Sequence, residues 1–209
     1  REEEMQKVFA AYNVGKVYNP LFVYQEPPQF PVARIQKFMA QLVPDQSPLE
    51  MLYYVYISHE LLLIRSVQAH SPDVITGTSC LTYGLPDCQL LTEAHAILLQ
   101  YPKPAVTSLK DVPAEQAVEW MQLALERLGI QGWHAVPFEP MNAAMSVDRL
   151  DKQVRIRKGA MFAQEALRRL LVHEIGVHVL RYENGAVQPI RLFRNGFTDY
   201  LDTEEGLAV

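Results

Sequence analysis

The chain has 209 residues, of which 49% are hydrophobic and 21% charged, the balance of a globular protein with one ordinary domain or a domain plus a helical annex. Its net charge of −5 leaves no electrostatic case for a nucleic-acid or membrane-surface partner. Cys80 and Cys88 fit neither a metal knuckle nor a redox pair; they read as small buried thiols in a reducing, cytoplasmic compartment.

The start Arg1-Glu2-Glu3-Glu4 is acidic, unlike a signal peptide. With no initiator Met and a stop straight after its last motif, the sequence reads as a piece of a longer protein. Residues 2–12 suit a short helix. Pro20, Pro27, Pro28 and Pro31 make 18–31 extended or looped. A helix is predicted over 32–42 and a stronger one over 47–70. Ser47-Pro48-Leu49-Glu50 is a capping box with Pro at the first helical position. The residues after it are apolar on nearly every face, which predicts a buried helix with His59 as a hydrogen-bonded core histidine. Its longest apolar stretch, 51–64, is too short to span a bilayer.

Residues 71–87, rich in Ser, Thr, Gly, Pro and Asp, predict a loop, and a helix follows over 88–100. Another helix is expected over 112–129, with Ala117, Val118, Met121, Leu125 and Leu128 on one face and Gly129 closing it. The periodicity then changes to that of short strands, over 132–138, 143–147 and 153–157, with 148–152 as the turn between the last two. A long helix over 161–182 and an irregular tail complete the chain. The fold class is therefore α+β, with helices around a small sheet.

The long helix carries His173-Glu174-Ile175-Gly176-Val177-His178. In the His-Glu-x-x-His motif of zinc peptidases the histidines are four apart, about 40° round a helix; here they are five apart, about 140°, too far to share one ion. A local π-turn near Gly176 would restore convergence. With six His and sixteen Glu, such a window arises by chance in roughly one chain in a hundred. The competing reading is two unrelated histidines with a surface Glu between them. Leu167, Leu170 and Leu171 argue against it by placing the motif on a core-packed helix. A catalytic zinc needs a third protein ligand, and downstream carboxylates are Glu183, Asp199, Asp202, Glu204 and Glu205. Glu183 projects along the same helix, whereas the later acids can return to the site from a loop.

The stretch Leu170 to His178, then Gln188-Pro189, then Thr203-Glu204-Glu205-Gly206-Leu207-Ala208, resembles the microtubule-associated tyrosine carboxypeptidases and their bacterial relatives, the flavohemoglobin expression-modulating QEGLA motif proteins. The resemblance is strongest over 132–209. It implies a zincin-like metallopeptidase with His173, His178 and Glu205 as zinc ligands and Glu174 as general base, acting on a peptide or protein C-terminus. Where the bacterial signature has Gln, this chain has Glu204. Adjacent side chains diverge, which separates Glu204 from Glu205 as ligands. On this reading residues 1–110 are a mainly helical part and 111–209 the metallopeptidase core. Tyr200 is the first choice as oxyanion donor and Arg191 as anchor for a substrate carboxylate, ahead of Arg194, Arg155, Arg157 and Lys158. The strand 143–147 suits an extended peptide added to its edge. Two alternatives stand beside this. Two histidines and a carboxylate also make a non-haem iron site. A regulatory protein could equally retain the metal for structure alone.

Overall fold

The computed structural model describes residues 2–21, 26–69, 71–101, 109–197 and 200–208. It is α+β. Helices α1 (Glu2–Asn13), α2 (Val32–Met39), α3 (Pro48–Ala69), α4 (Pro72–Tyr83) and α5 (Cys88–Gln100) precede every described strand. Then come β1 (Val112–Pro113), α6 (Ala114–Arg127), β2 (His134–Phe138), β3 (Met145–Asp148), β4 (Gln153–Arg157) and β5 (Met161–Phe162). The chain closes with α7 (Gln164–Leu171), a π-helical segment (Val172–Val179), α8 (Leu180–Ala186), α9 (Leu192–Asn195) and α10 (Leu201–Leu207).

The main sheet has the order β2-β4-β3, with β2 parallel and β3 antiparallel to the central β4. Its alternation sends Val154 and Ile156 into the core and Arg155 to the other face. There Arg155 pairs with Asp148 at 2.7 Å and covers the Phe138 ring. Helix α6 lays Ala117, Met121 and Leu125, four apart, against the sheet. Leu167, Ile175 and Val179 join the same core, and Trp133 meets Tyr182 edge to face. Burying a side chain such as Met121 or Leu125 stabilises by about 1.5–3 kcal/mol. This core is the platform on which the π segment rests.

Several expectations are corrected. Residues 71–87 are not a loop throughout: α4 fills most of the stretch. Ser71 stands at its N-cap and Pro72 at the first turn, a start signal that the Ser/Thr/Gly composition hid. Helix α3 is not buried. Of its described residues only Leu61 and Ser66 are, because α2 and α4 cover just part of its surface. Its cap is half a capping box: Glu50 N–H donates to Ser47 Oγ, but the Glu50 carboxylate turns to the Val43 amide. His59 is half-buried, 3.4 Å from Thr82 Oγ1 on α4. The thiols are not both buried, since Cys88 is exposed. The predicted starts at 112 and 161 hide the two-residue strands β1 and β5, which pair with each other. The tail is less irregular than expected, since α9 and α10 lie in it. Among the described residues no helix is long and apolar enough to cross a membrane.

Candidate metal and catalytic site

From Val172 to Val179 the helix is π-helical. An i→i+5 pattern brings residues five apart to the same side, so the spacing that defeats an ordinary α-helix is the one that aligns His173 with His178. Their Nε2 atoms are 3.2 Å apart. The distortion is a run of eight residues rather than one bulge at Gly176. Nor does Gly176 serve as the tolerant residue expected of it: a Cβ there would meet only Val172, at an ordinary 3.6 Å.

Helix α10 faces this segment and ties off both imidazoles. The Ala208 carbonyl lies 2.8 Å from His173 Nδ1, and Glu204 Oε1 lies 2.6 Å from His178 Nδ1. Both Nε2 atoms are thereby turned inward. Glu205, the next residue, projects to the Nε2 side, with Oε1 3.9 Å from His178 Nε2. One donor atom from each of His173, His178 and Glu205 falls within 4.8 Å of the others. Glu174 is 5% exposed. Burial pushes its carboxyl above the ordinary range, while the two imidazoles pull it partly back. His178 is raised by its hydrogen bond to Glu204.

A cavity of about 310 Å³ opens over these groups, walled by β3, Arg149, Tyr200 and the π segment. Because β3 is an edge strand, its free side borders this space. A second cavity of about 630 Å³ adjoins it, sharing Arg149, Tyr200 and Leu201, with α3 and α4 on its far wall.

A family model described as microtubule-associated tyrosine carboxypeptidase matches residues 18–209. The chain belongs to that family. No curated protein and no solved structure matches it.

The structure brings five of the residues proposed for this carboxypeptidase-family chain to one cavity: His173, Glu174, His178, Tyr200 and Glu205. The Tyr200 hydroxyl lies 3.5 Å from Arg149 Nη1. Arg191 is elsewhere, exposed at the start of α9 and outside the cavity wall. Glu183 is engaged by Trp133 Nε1 and Lys152 Nζ, each at 2.8 Å. Asp202 lines only the adjoining cavity, and Asp199 lies outside the described residues. Sequence reasoning passed over Arg149. It is the one Lys or Arg among the described residues lining the smaller cavity, and among them it has no carboxylate within ion-pair distance. A cation at the tip of the β3–β4 turn leaves no periodic signal, so only the turn's docking beside α9 and α10 reveals it.

Proposed function

We propose that this chain is a zinc-dependent carboxypeptidase of zincin-like type that removes a residue from the C-terminus of a peptide or protein. The family membership supports a carboxypeptidase-type activity. The observation that carries the metal reading is the approach of the two Nε2 atoms to 3.2 Å on a π-helical segment. Two nitrogens on a tetrahedral ion, each about 2.0–2.1 Å from it, stand roughly 3.3 Å apart. The donor set of two imidazoles and a carboxylate suits zinc with one position left open. Glu205, 56% exposed along its side chain, needs only a rotamer change to close on such an ion.

Zinc held by His173, His178 and Glu205 would supply a Lewis acid and an acidified water. Glu174 accepts a proton from the attacking water on its carboxylate and passes it to the leaving amine. Its burial supports that role, because a carboxylate with a raised affinity for protons is a stronger base toward the attacking water. Tyr200 donates a hydrogen bond from its phenolic O–H to the developing oxyanion. Arg149, rather than Arg191, anchors the terminal carboxylate of the substrate, as its forked guanidinium suits. The unpaired thiols fit a cytoplasmic protein.

The test is metal analysis of protein purified without added metal, with peptidase assays before and after chelation. One equivalent of zinc, activity lost on chelation and recovered with zinc supports the reading. Iron in its place, or cleavage indifferent to chelator, overturns it.

A further inference from the structure

We propose that Glu204 and Arg181 form a positioning pair that orients His178 for the metal, a role distinct from that of Glu205. The proposal builds on the metal reading above and concerns a buried carboxylate which that reading does not use. Glu204 is only 5% exposed. A carboxylate withdrawn this far from water must be paired. It has two partners: His178 Nδ1, 2.6 Å from Oε1, and Arg181 Nε, 2.7 Å from Oε2. The Arg181 contact is Coulombic rather than a well-aimed hydrogen bond, for both atoms are buried without a properly directed partner among the described residues. Arg181 is held in turn over the Tyr200 ring, 5.2 Å from its centroid.

Geometry excludes Glu204 from the ligand set. It approaches the Nδ1 edge of His178, whereas His173 and Glu205 meet the opposite, Nε2 edge. A neutral imidazole that donates Nδ1–H carries its lone pair on Nε2, which is the form a metal requires. A charged acceptor also makes the ring a stronger donor than a neutral one does. The doublet Glu204-Glu205 thus divides into two tasks, and Arg181 balances the charge that the first task buries. The rival explanation is that Glu204 merely pins α10 to the π segment.

Two measurements separate these explanations. Zinc affinity is read by competition with a chelator for the wild-type chain, Glu204→Gln and Glu204→Ala, each also in a His178→Ala background. Glu204→Ala should weaken zinc binding about 10- to 100-fold, and Glu204→Gln, which keeps an acceptor for Nδ1–H, distinctly less. With His178 gone, Glu204→Ala should add little further loss. Equal zinc affinity in all three chains, or an equal loss with and without His178, overturns the proposal. The second measurement needs no metal: nitrogen-15 spectra of the imidazoles. The wild type and Glu204→Gln should show a protected Nδ1 proton on His178. A His178 ring unprotonated at Nδ1 in the wild type overturns the pair, even if Glu204→Ala does not fold. Failure of the wild type to bind zinc would sink the metal reading alone, because the imidazole spectra still decide the role of Glu204.

Discussion

Glu174 and Glu205 differ in what surrounds them, and their chemistry follows from that. Glu174 sits buried on the π segment beside both imidazoles, while Glu205 reaches in from α10 through solvent. Replacing Glu174 by Gln keeps its shape and removes the proton acceptor. Glu174→Gln should therefore bind zinc like the wild type and lose about 10²- to 10⁴-fold in kcat. Full turnover on a confirmed substrate would remove Glu174 from the mechanism. Arg149→Met should raise KM for a peptide with a free C-terminus and leave weak cleavage of its amide unchanged. If both substrates suffer alike, Arg149 does not read the carboxylate. The histidines and Glu174 were legible because one short window holds them. Arg149 was not, because four elements meet to place it. Arg191 is close to the motifs in sequence only, because the start of α9 turns it to solvent.

Elements set the precision of the site. The π segment continues into α8, and α8 packs so closely on α9 that Gly185 has no room for a side chain. A Cβ there would fall 2.2 Å from the Phe193 carbonyl oxygen, a backbone atom that cannot swing away. Gly176, inside the motif, is the one that looks special in sequence, yet space for a methyl exists. Gly176→Ala should thus fold and keep metal affinity, whereas Gly185→Ala should destabilise by about 1–3 kcal/mol. Thermal unfolding of both variants checks this, and the reverse order would show that the α8–α9 contact is looser than described. On the other side of α8, Glu183 ties the helix to the β3–β4 turn. Burial works against its charge, but hydrogen bonds from Lys152 and Trp133 outweigh that and hold its carboxyl below the usual 4.5. A depressed folded-state value means stability that is present above about 4.5 and lost as pH falls through the folded value. Relative to Glu183→Gln, the wild type should gain about 0.2–1 kcal/mol at pH 7 and nothing in strong acid. Denaturant titrations at both pH values test the sign. The strands of the main sheet were readable from alternation, and α6 from its four-residue stripe. Strands β1 and β5 were not, since two residues carry no period.

Over the whole molecule, burial is distributed unevenly, and this is where the hydrophobic pattern misled. A helix apolar on every face reads as buried, yet α3 keeps Leu49, Met51, Leu52 and Val55 in solvent, and α5 is exposed along its whole length. Of the buried hydrophobic residues described, Leu61 alone precedes Val112. Apolar content says what a helix could bury; only the partner elements decide what it does bury. The N-terminal helices nonetheless wall the larger cavity, where Tyr56 on α3 accepts a hydrogen bond of 3.5 Å from the Asn195 side chain. The proposed division into 1–110 and 111–209 therefore has an energetic meaning. The second part holds nearly all the described core and should open only on global unfolding. The first, tied by few buried contacts, should open locally at far lower cost. Native-state hydrogen exchange can see both. Amides of α6, β4 and the π segment should share the slowest class, those of α3 should exchange at least tenfold faster, and those of α5 fastest of all. Protection of α5 equal to that of α6 would show that the chain unfolds as one unit.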